Sequence, residues 1–191
     1  MQALQQSSTL QGGKYIIKKV LGQGGFGITY LAEQKNLDRQ VAVKEFFFRD
    51  YCDRGSDENT MTMGNSVVLS PLVSRFKEKF IKESRIISHL DHPNIVKILD
   101  VFEENNTAYY VMEYIPGVTL ADIVSSRGPL TEKIAVGFIL EVAKALEYIH
   151  SQHINHLDVK PANIMVRQND NHVFLLDFGT SKQYDAISGS Q

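Results

Sequence analysis

The chain has 191 residues, of which 43% are hydrophobic and 22% charged, with 20 Lys and Arg against 22 Asp and Glu. This composition is typical of a folded domain rather than a disordered chain, and a net charge of −2 lacks the basic excess of a nucleic-acid-binding protein. No apolar run approaches the roughly 18 residues of a membrane span, and a single cysteine, Cys52, fits a reducing, cytoplasmic setting.

The first part of the chain is predicted to be rich in β-strands. Residues 1–13 are rich in Gln, Ser and Gly, which indicates a disordered tail. Three antiparallel strands are then expected at 15–21, 27–32 and 40–46, because each run is apolar and β-branched. A glycine cluster separates the first two strands, and the polar turn at 35–38 separates the second from the third.

An inserted loop is predicted over residues 49–70, where the sequence is charged and turn-prone and has room for a short hairpin. Two interpretations of the insert stay open: a tolerated surface loop, or a regulatory or partner-binding element. A helix is expected at about 72–90, with Pro93 barring its continuation. Two more strands are expected at 95–103 and 107–114.

The second part of the chain is predicted to be mainly helical. The pattern changes after Pro116-Gly117, and Thr131 is a suitable N-cap for a long helix over residues 132–151. Short strands are expected near 164–167 and at 173–177. One face of the long helix is predicted to be buried, because apolar residues recur there every three or four positions: Ile134, Phe138, Val142, Ala145 and Ile149.

This order of elements predicts two lobes. An N-lobe at 14–115, carrying the insert 49–70, is followed by a partial, mainly helical C-lobe at 116–191. Packing a strand-rich part against a helical part leaves a cleft between them, which is where ligands commonly bind.

The glycine cluster Gly22-Gln23-Gly24-Gly25-Phe26-Gly27 is the first candidate binding element. Without side chains, the backbone can approach another group closely and offer its N–H groups. By itself this pattern also fits a flexible hairpin tip. A dinucleotide-binding fold is disfavoured, because it needs a helix directly after the glycines and a strand is expected here.

Lys44 and Glu83 form the second candidate. A lysine in a strand usually points to water, but Glu83 lies between Phe80 and Ile87 on the apolar stripe of its helix. Removing the partner of a buried charge typically lowers protein stability by roughly 3–5 kcal/mol. Glu83 therefore needs a cationic partner, and Lys44 is the best candidate.

Two polar segments in the second half complete the set. The segment 156–163 holds a base, an acid and an amide, in His156, Asp158 and Asn163. Asp177-Phe178-Gly179 follows an apolar strand, and an aspartate in that position suits a metal-ligating carboxylate. Each of these segments alone is a common loop. All four candidates, namely the glycine cluster, Lys44 with Glu83 and these two segments, are very unlikely to occur in this order by chance.

In this order the four segments resemble the catalytic domain of eukaryotic-type Ser/Thr protein kinases, and the resemblance runs from about Tyr15 to the end of the chain. It implies an α+β, protein-kinase-like bilobal fold, with a five-stranded antiparallel sheet and one helix in the N-lobe. It also implies an enzyme that uses ATP and Mg²⁺ to phosphorylate Ser or Thr hydroxyls of protein substrates.

The resemblance implies a role for each matching residue. Asp158 would accept or orient the proton of the attacking hydroxyl, and Lys160 would neutralise the transferring phosphoryl group. Lys44 would hold the α- and β-phosphates, oriented by Glu83. Asn163 and Asp177 would hold Mg²⁺. The ATP-binding residues would be Leu21, Gly22, Gly24, Gly25, Phe26, Gly27, Ala42, Lys44, Met112, Glu113, Ile115 and Met165.

The sequence also departs from the family pattern. Leu157 stands where many relatives have an arginine that pairs with a phosphorylated activation loop, so activity independent of that phosphorylation is plausible. The chain ends soon after Asp177, inside the activation segment, so we expect a truncated domain that binds nucleotide weakly and phosphorylates protein poorly. A pseudokinase-like nucleotide-binding scaffold and a small-molecule phosphotransferase of related fold are the alternative functions.

Overall fold

The computed structural model describes residues 3–63, 70–178 and 182–183. The chain divides into two units, one formed by Met1–Ser88 with Ile98–Tyr114 and the other by His89–Lys97 with Ile115–Gln191. Among the described residues, no helix is long and apolar enough to cross a membrane.

A curled antiparallel sheet forms the frame of the first unit. Its strands run in the order β1-β2-β3-β4-β8-β7. A two-stranded hairpin, β5 and β6, and one helix, α1, complete the unit. The bounds in chain order are β1 Thr9–Leu10, β2 Tyr15–Gln23, β3 Gly27–Gln34, β4 Arg39–Phe46, β5 Cys52–Arg54, β6 Met61–Met63, α1 Ser70–Ser88, β7 Ile98–Glu104 and β8 Thr107–Glu113.

The predicted disordered tail at 1–13 is wrong for the residues that the structure describes. β1 pairs with β2, and the backbone N–H of Ser7 donates to the carbonyl of Ile17 at 2.8 Å. Leu4 and Leu10 are buried in the core of the first unit. The segment is mainly polar in composition, but its two leucines are buried in the core. Their burial offsets the conformational entropy that is lost when the segment becomes ordered.

The insert at 49–70 contains the hairpin that its turn-prone sequence allows, although residues 64–69 lie outside the described part. β5 pairs with β6, and the N–H of Gly55 donates to the carbonyl of Thr60 at 2.7 Å. Cys52 and Met61 are both buried in the core of the unit. The hairpin is therefore an integral part of this unit rather than a surface loop.

Helix α1 ends at Ser88, five residues before Pro93, in agreement with the predicted stop. It packs against β7 and β8, and Val73 and Ile87 are buried. This places the apolar stripe of the helix on the sheet.

The second unit combines two helices with short strands. The strands β12, β11 and β9 form a three-stranded sheet in that order, and β10 pairs with β13. The bounds are β9 Gly117–Thr119, α2 Leu120–Arg127, α3 Glu132–Ser151, β10 Ile154–Asn155, β11 Ile164–Arg167, β12 Val173–Leu175 and β13 Lys182–Gln183. A 3₁₀ turn at Pro161–Asn163 leads directly into β11.

The long helix α3 has the predicted bounds, but its apolar face is only partly covered. Val142, Ala145 and Ile149, in its C-terminal half, are buried, and β10 and β12 pack against the helix. Ile134 is 47% exposed and Phe138 is half-buried, so the predicted burial is wrong for the first turns. Periodicity identifies an apolar face but does not say how far along it the packing partners reach.

Candidate active site

The glycine cluster forms the turn between β2 and β3. The N–H of Gly24 donates to the carbonyl of Gly27 at 2.9 Å, which closes the turn. A Cβ on Gly27 would lie 2.7 Å from the carbonyl oxygen of Glu45, closer than packing allows. A Cβ on Gly22 or Gly25 would meet nothing within 4 Å. Packing thus requires glycine only at Gly27, while Gly22 and Gly25 leave open space beside the backbone.

The tip of the glycine cluster is held from the side by the segment that follows β4. The N–H of Phe47 donates to the carbonyl of Phe26 at 3.2 Å, and the N–H of Arg49 donates to the carbonyl of Gly25 at 3.0 Å. The Phe26 ring packs on that of Phe48, with centroids 4.7 Å apart. The cluster is therefore an anchored turn and not a free hairpin tip.

Lys44 lies on β4 directly opposite Tyr110 of β8, and its Nζ is 5.8 Å from the centre of the Tyr110 ring. The same ring packs against Phe80 of α1 at a centroid distance of 5.1 Å. Glu83 follows Phe80 by three residues, so it lies on the same face of the helix and is 7% exposed. The helix thus turns Glu83 toward the part of the sheet that carries Lys44.

Lys79, which is not among the residues predicted for the site, contacts Glu83. Its Nζ lies 3.3 Å from Oε1 of Glu83, four residues further along α1. The i,i+4 spacing of a lysine and a glutamate is the signal that could have found this contact. The pairing of Lys44 with Glu83 stays a prediction.

The residues assigned to the adenine pocket are divided between the two units. In the first unit Ala42 is paired with Met112 and Val41 with Glu113 across β4 and β8, while Leu21 lies at the exposed end of β2. In the second unit Ile115 is buried, and the half-buried Met165 lies on β11.

Asp158, Lys160 and Asn163 come together in the second unit. Oδ2 of Asp158 is 2.7 Å from Nζ of Lys160 and accepts a hydrogen bond from the side-chain amide of Asn163 at 2.8 Å. The hydrogen bond from Lys160, and then that from Asn163, lowers the pKa of Asp158. The carboxylate is therefore ionised at neutral pH, and it stays partly exposed to solvent.

His156 connects this loop to the strand that leads to Asp177. Its buried ring accepts a hydrogen bond from the N–H of Asp158 at Nδ1, at 3.2 Å, and its Nε2 lies 2.9 Å from the carbonyl of Leu176. Burial lowers the pKa of His156, so the ring is neutral, with the proton on Nε2. From the sequence His156 is visible only as part of a motif, because its contact with Leu176 spans twenty residues of chain.

The two predicted metal ligands are neighbours through the backbone. The N–H of Leu176 donates to the carbonyl of Asn163 at 2.8 Å, and Asp177 is the next residue. Asp177 has φ of 54° and Leu157 has φ of 62°, a left-handed conformation that costs energy and occurs preferentially at functional sites. Gly179 of the Asp-Phe-Gly segment lies outside the described residues.

Comparison with known families gives the class of protein. The sequence profile described as the protein kinase domain matches residues 15–189. The chain belongs to this family.

Three bacterial proteins are among those similar to this chain. The chain is 36% identical to serine/threonine-protein kinase PrkC of Bacillus subtilis over 87% of its own length, and 36% identical to serine/threonine-protein kinase PknB of Mycobacterium tuberculosis over 88%. It is 34% identical to serine/threonine-protein kinase B of Synechocystis over 93%. The matches cover 22%, 24% and 29% of these proteins, so the chain spans less than a third of each.

A solved structure, "PpkA-294 apo form", matches with a TM-score of 0.87 and 26% sequence identity, over 94% of this chain and 63% of that one. This confirms the predicted protein-kinase-like α+β fold, and the observed sheet carries β1 as a sixth strand beyond the five expected. The roles of individual site residues stay predictions.

Proposed function

We propose that this chain is the ATP-binding part of a Ser/Thr protein kinase, which transfers the γ-phosphoryl group of ATP to Ser or Thr hydroxyls of protein substrates. The observation that carries the proposal is the cluster in which Asp158 contacts both Lys160 and Asn163, next to the strand that leads to Asp177. Phosphoryl transfer needs alignment and charge neutralisation more than covalent chemistry, and these groups supply both.

The residues present fit ATP and Mg²⁺. Open space beside Gly22 and Gly25 allows phosphate oxygens to approach backbone N–H groups. The oxygens of Asn163 and Asp177 are the hard ligands that Mg²⁺ prefers, and the amide nitrogen of Asn163 is already used by Asp158. When bound, Mg-ATP supplies the transferable phosphoryl group and the metal charge that balances its oxygens.

In the first unit, Lys44 would bind the α- and β-phosphates with its ammonium group. Glu83 would orient Lys44, because α1 turns this buried carboxylate toward the same part of the sheet. The side chains of Leu21 and Ala42 would cover the adenine ring from this unit, with the backbone of Glu113 at its edge.

In the second unit, Asp158 would orient the acceptor hydroxyl. The lowered pKa of Asp158 makes it a weak base, which favours a positioning role before the transfer and proton uptake only as the hydroxyl becomes acidic. Lys160 would neutralise the phosphoryl oxygens. A lysine two residues after this aspartate is the form seen in Ser/Thr rather than Tyr kinases, which supports a Ser or Thr acceptor.

A cytoplasmic setting is part of the proposal and is supported by the single cysteine.

Calorimetric titration with Mg-ATP tests the binding half of the proposal. We expect the unsubstituted chain to bind Mg-ATP and Lys44→Met to weaken the affinity at least about tenfold, since a charge-assisted contact to phosphate is lost. Lys18→Met is the matched control, because Lys18 lies in the same sheet and pairs with Glu33 at the surface. Equal affinities for all three proteins would contradict the role of Lys44.

Transfer of labelled phosphate tests the catalytic half, in a protein that contains this chain. Asp158→Asn should abolish most of the transfer to protein Ser or Thr while leaving Mg-ATP affinity nearly unchanged, because Asp158 is assigned to the acceptor hydroxyl. Binding of Mg-ATP without any transfer by the unsubstituted protein would favour the nucleotide-binding scaffold instead.

A further inference from the structure

A buried ion pair closes the segment that follows Lys44 into a loop. Glu45 is fully buried on β4, and alternation along the strand places it on the opposite face from Lys44. Both terminal nitrogens of the Arg54 guanidinium donate to its carboxylate, one of them at 2.8 Å. We call residues 45–54, whose two ends this pair joins, the Glu45–Arg54 loop.

The carboxylate of Glu45 also accepts two hydrogen bonds from tyrosines. The hydroxyl of Tyr30 donates at 2.6 Å and that of Tyr109 at 3.0 Å. Burial and the negative charge of Glu45 raise the pKa of both tyrosines, so both hydroxyls keep their protons and remain donors. The Glu45 carboxylate thus accepts hydrogen bonds from β3, from β8 and, through Arg54, from the β5–β6 hairpin.

Arg54 is held as firmly as Glu45. Its side chain is 5% exposed, it donates to the carbonyl of Asn59 at 2.8 Å, and its guanidinium lies 4.8 Å from the centre of the Phe47 ring. Replacing a buried ion pair by well-packed hydrophobic residues of similar volume is often neutral or stabilising, so stability alone does not account for such a pair. What such a pair does provide is a single geometry, because its hydrogen bonds are satisfied in only one arrangement.

That geometry reaches the glycine cluster. Phe47 and Arg49 lie inside the Glu45–Arg54 loop, and their N–H groups hold the carbonyls of Phe26 and Gly25. At the base of the loop, the carbonyl oxygen of Glu45 occupies the space that a Cβ on Gly27 would need. The loop therefore contacts the glycine cluster at its tip and at its end.

We propose that the Glu45–Arg54 ion pair positions the glycine cluster for phosphate binding, by fixing the loop that holds the carbonyls of Gly25 and Phe26. The inference rests on the proposed function, in which this cluster covers the phosphates of ATP. Arg54 acts through Phe47 and Arg49 and is a positioning residue. The insert at 49–70 thereby gains a role in nucleotide binding, which neither of its two sequence interpretations contained.

The experiment compares the binding of a nucleotide, Mg-ATP, with that of the nucleoside adenosine, which has no phosphates. The double variant Glu45→Gln/Arg54→Gln removes both charges together, so no unpaired buried charge remains and the fold is expected to persist. We expect the Kd for Mg-ATP to rise about tenfold and the Kd for adenosine to change less than twofold, because couplings through positioning residues are of about this size. Lys18→Met, which breaks the surface pair with Glu33 in the same sheet, should change neither constant.

A second readout follows the loop directly. Hydrogen exchange of the Phe47 and Arg49 amides should become faster in the double variant, since the loop that carries these two donors is no longer fixed against the carbonyls of Phe26 and Gly25. If the double variant does not fold, Arg54→Lys takes its place, because it keeps the charge and removes the two-pronged contact. An increase in the ATP constant with Arg54→Lys, at unchanged adenosine affinity, supports the inference.

Two results would overturn the inference alone. Unchanged ATP affinity in the loop variants would show that the ion pair does not position the cluster, and an equal loss for ATP and adenosine would show a general structural defect. A failure of the unsubstituted chain to bind Mg-ATP would overturn the proposed function, and this inference with it.

Discussion

At the scale of single residues, two glycines of the same cluster differ in whether packing requires them to lack a side chain. Gly27 has no room for a Cβ beside the carbonyl of Glu45, whereas Gly25 has open space. We expect Gly27→Ala to lower the free energy of unfolding by about 1–3 kcal/mol, the usual cost of overpacking. Gly25→Ala should change it by less than about 1 kcal/mol. Urea unfolding of both variants measures the difference, and equal stabilities would contradict the packing argument.

His156 makes stability depend on pH. Burial lowers its pKa in the folded state below the ordinary value of about 6.5. The unfolded chain then binds the proton more readily, so the contribution of the neutral ring is complete above pH about 6.5 and is lost as the pH falls through the lower, folded pKa.

Stability curves from pH 8 to pH 5 test this expectation. His156→Gln keeps a donor and an acceptor without a titrating ring, so its free energy of unfolding should fall less steeply below pH 6.5 than that of the unsubstituted chain. Parallel curves would mean that His156 does not titrate differently in the two states. His92, whose pKa burial also lowers, is common to both proteins and cancels in the comparison.

Short-range patterns predict some of these residues and not others. The glycine cluster, Lys44 and the Asp158 segment stand out from residue type and spacing alone. The links that hold them do not: His156 reaches Leu176 across twenty residues, and Arg54 lies in a charged segment that normally stays in water. Burial of a charged side chain is decided by tertiary packing, which a single sequence does not encode locally.

At the scale of elements, two threonines precede two helices with different consequences. The hydroxyl of Thr119 accepts from the N–H of Asp122, and the Asp122 carboxylate accepts from the N–H of Thr119, so α2 begins with a complete capping box. Thr131, the predicted N-cap of α3, makes no side-chain capping hydrogen bond. The predicted N-cap position of α3 is right, and the two caps differ in whether the threonine side chain makes a capping hydrogen bond.

Thr119→Ala and Thr131→Ala form a matched pair of variants. The first should lower the free energy of unfolding by about 1 kcal/mol, the usual value of an N-cap, and the second by clearly less. Chemical denaturation followed by circular dichroism measures both. A larger loss at Thr131 would contradict the assignment of the caps.

Elements with long, regular patterns are those that the sequence predicts well. The 132–151 helix and the strands around the glycine cluster coincide closely with α3, β2, β3 and β4. The short helix α2 and the strand β1 are not distinguished, because two to eight residues carry little periodicity. Their existence depends on partners: β1 needs the edge of β2, and α2 needs its cap.

At the scale of the whole molecule, α3 exposes an apolar surface that folded proteins usually cover. Ile134, Val136, Ile139 and Leu140 are 47%, 50%, 55% and 57% exposed. We expect the chain to bind a fluorescent apolar dye and to self-associate as its concentration rises. Ile139→Lys/Leu140→Lys should reduce both effects at little cost in stability, because neither side chain is buried. Dye titration and sedimentation provide the measurements, and unchanged behaviour of the variant would contradict this expectation.

The strand β1 and the leucine that precedes it have a practical consequence. The match to the kinase family begins at residue 15, whereas Leu4 and Leu10 are buried ahead of it and the N–H of Leu4 donates to the hydroxyl of Tyr30. A recombinant protein started at the family boundary would lose both leucines, leave the edge of β2 unprotected against intermolecular strand pairing, and take one donor from the tyrosine that serves Glu45. Expression boundaries for this protein therefore belong upstream of Leu4.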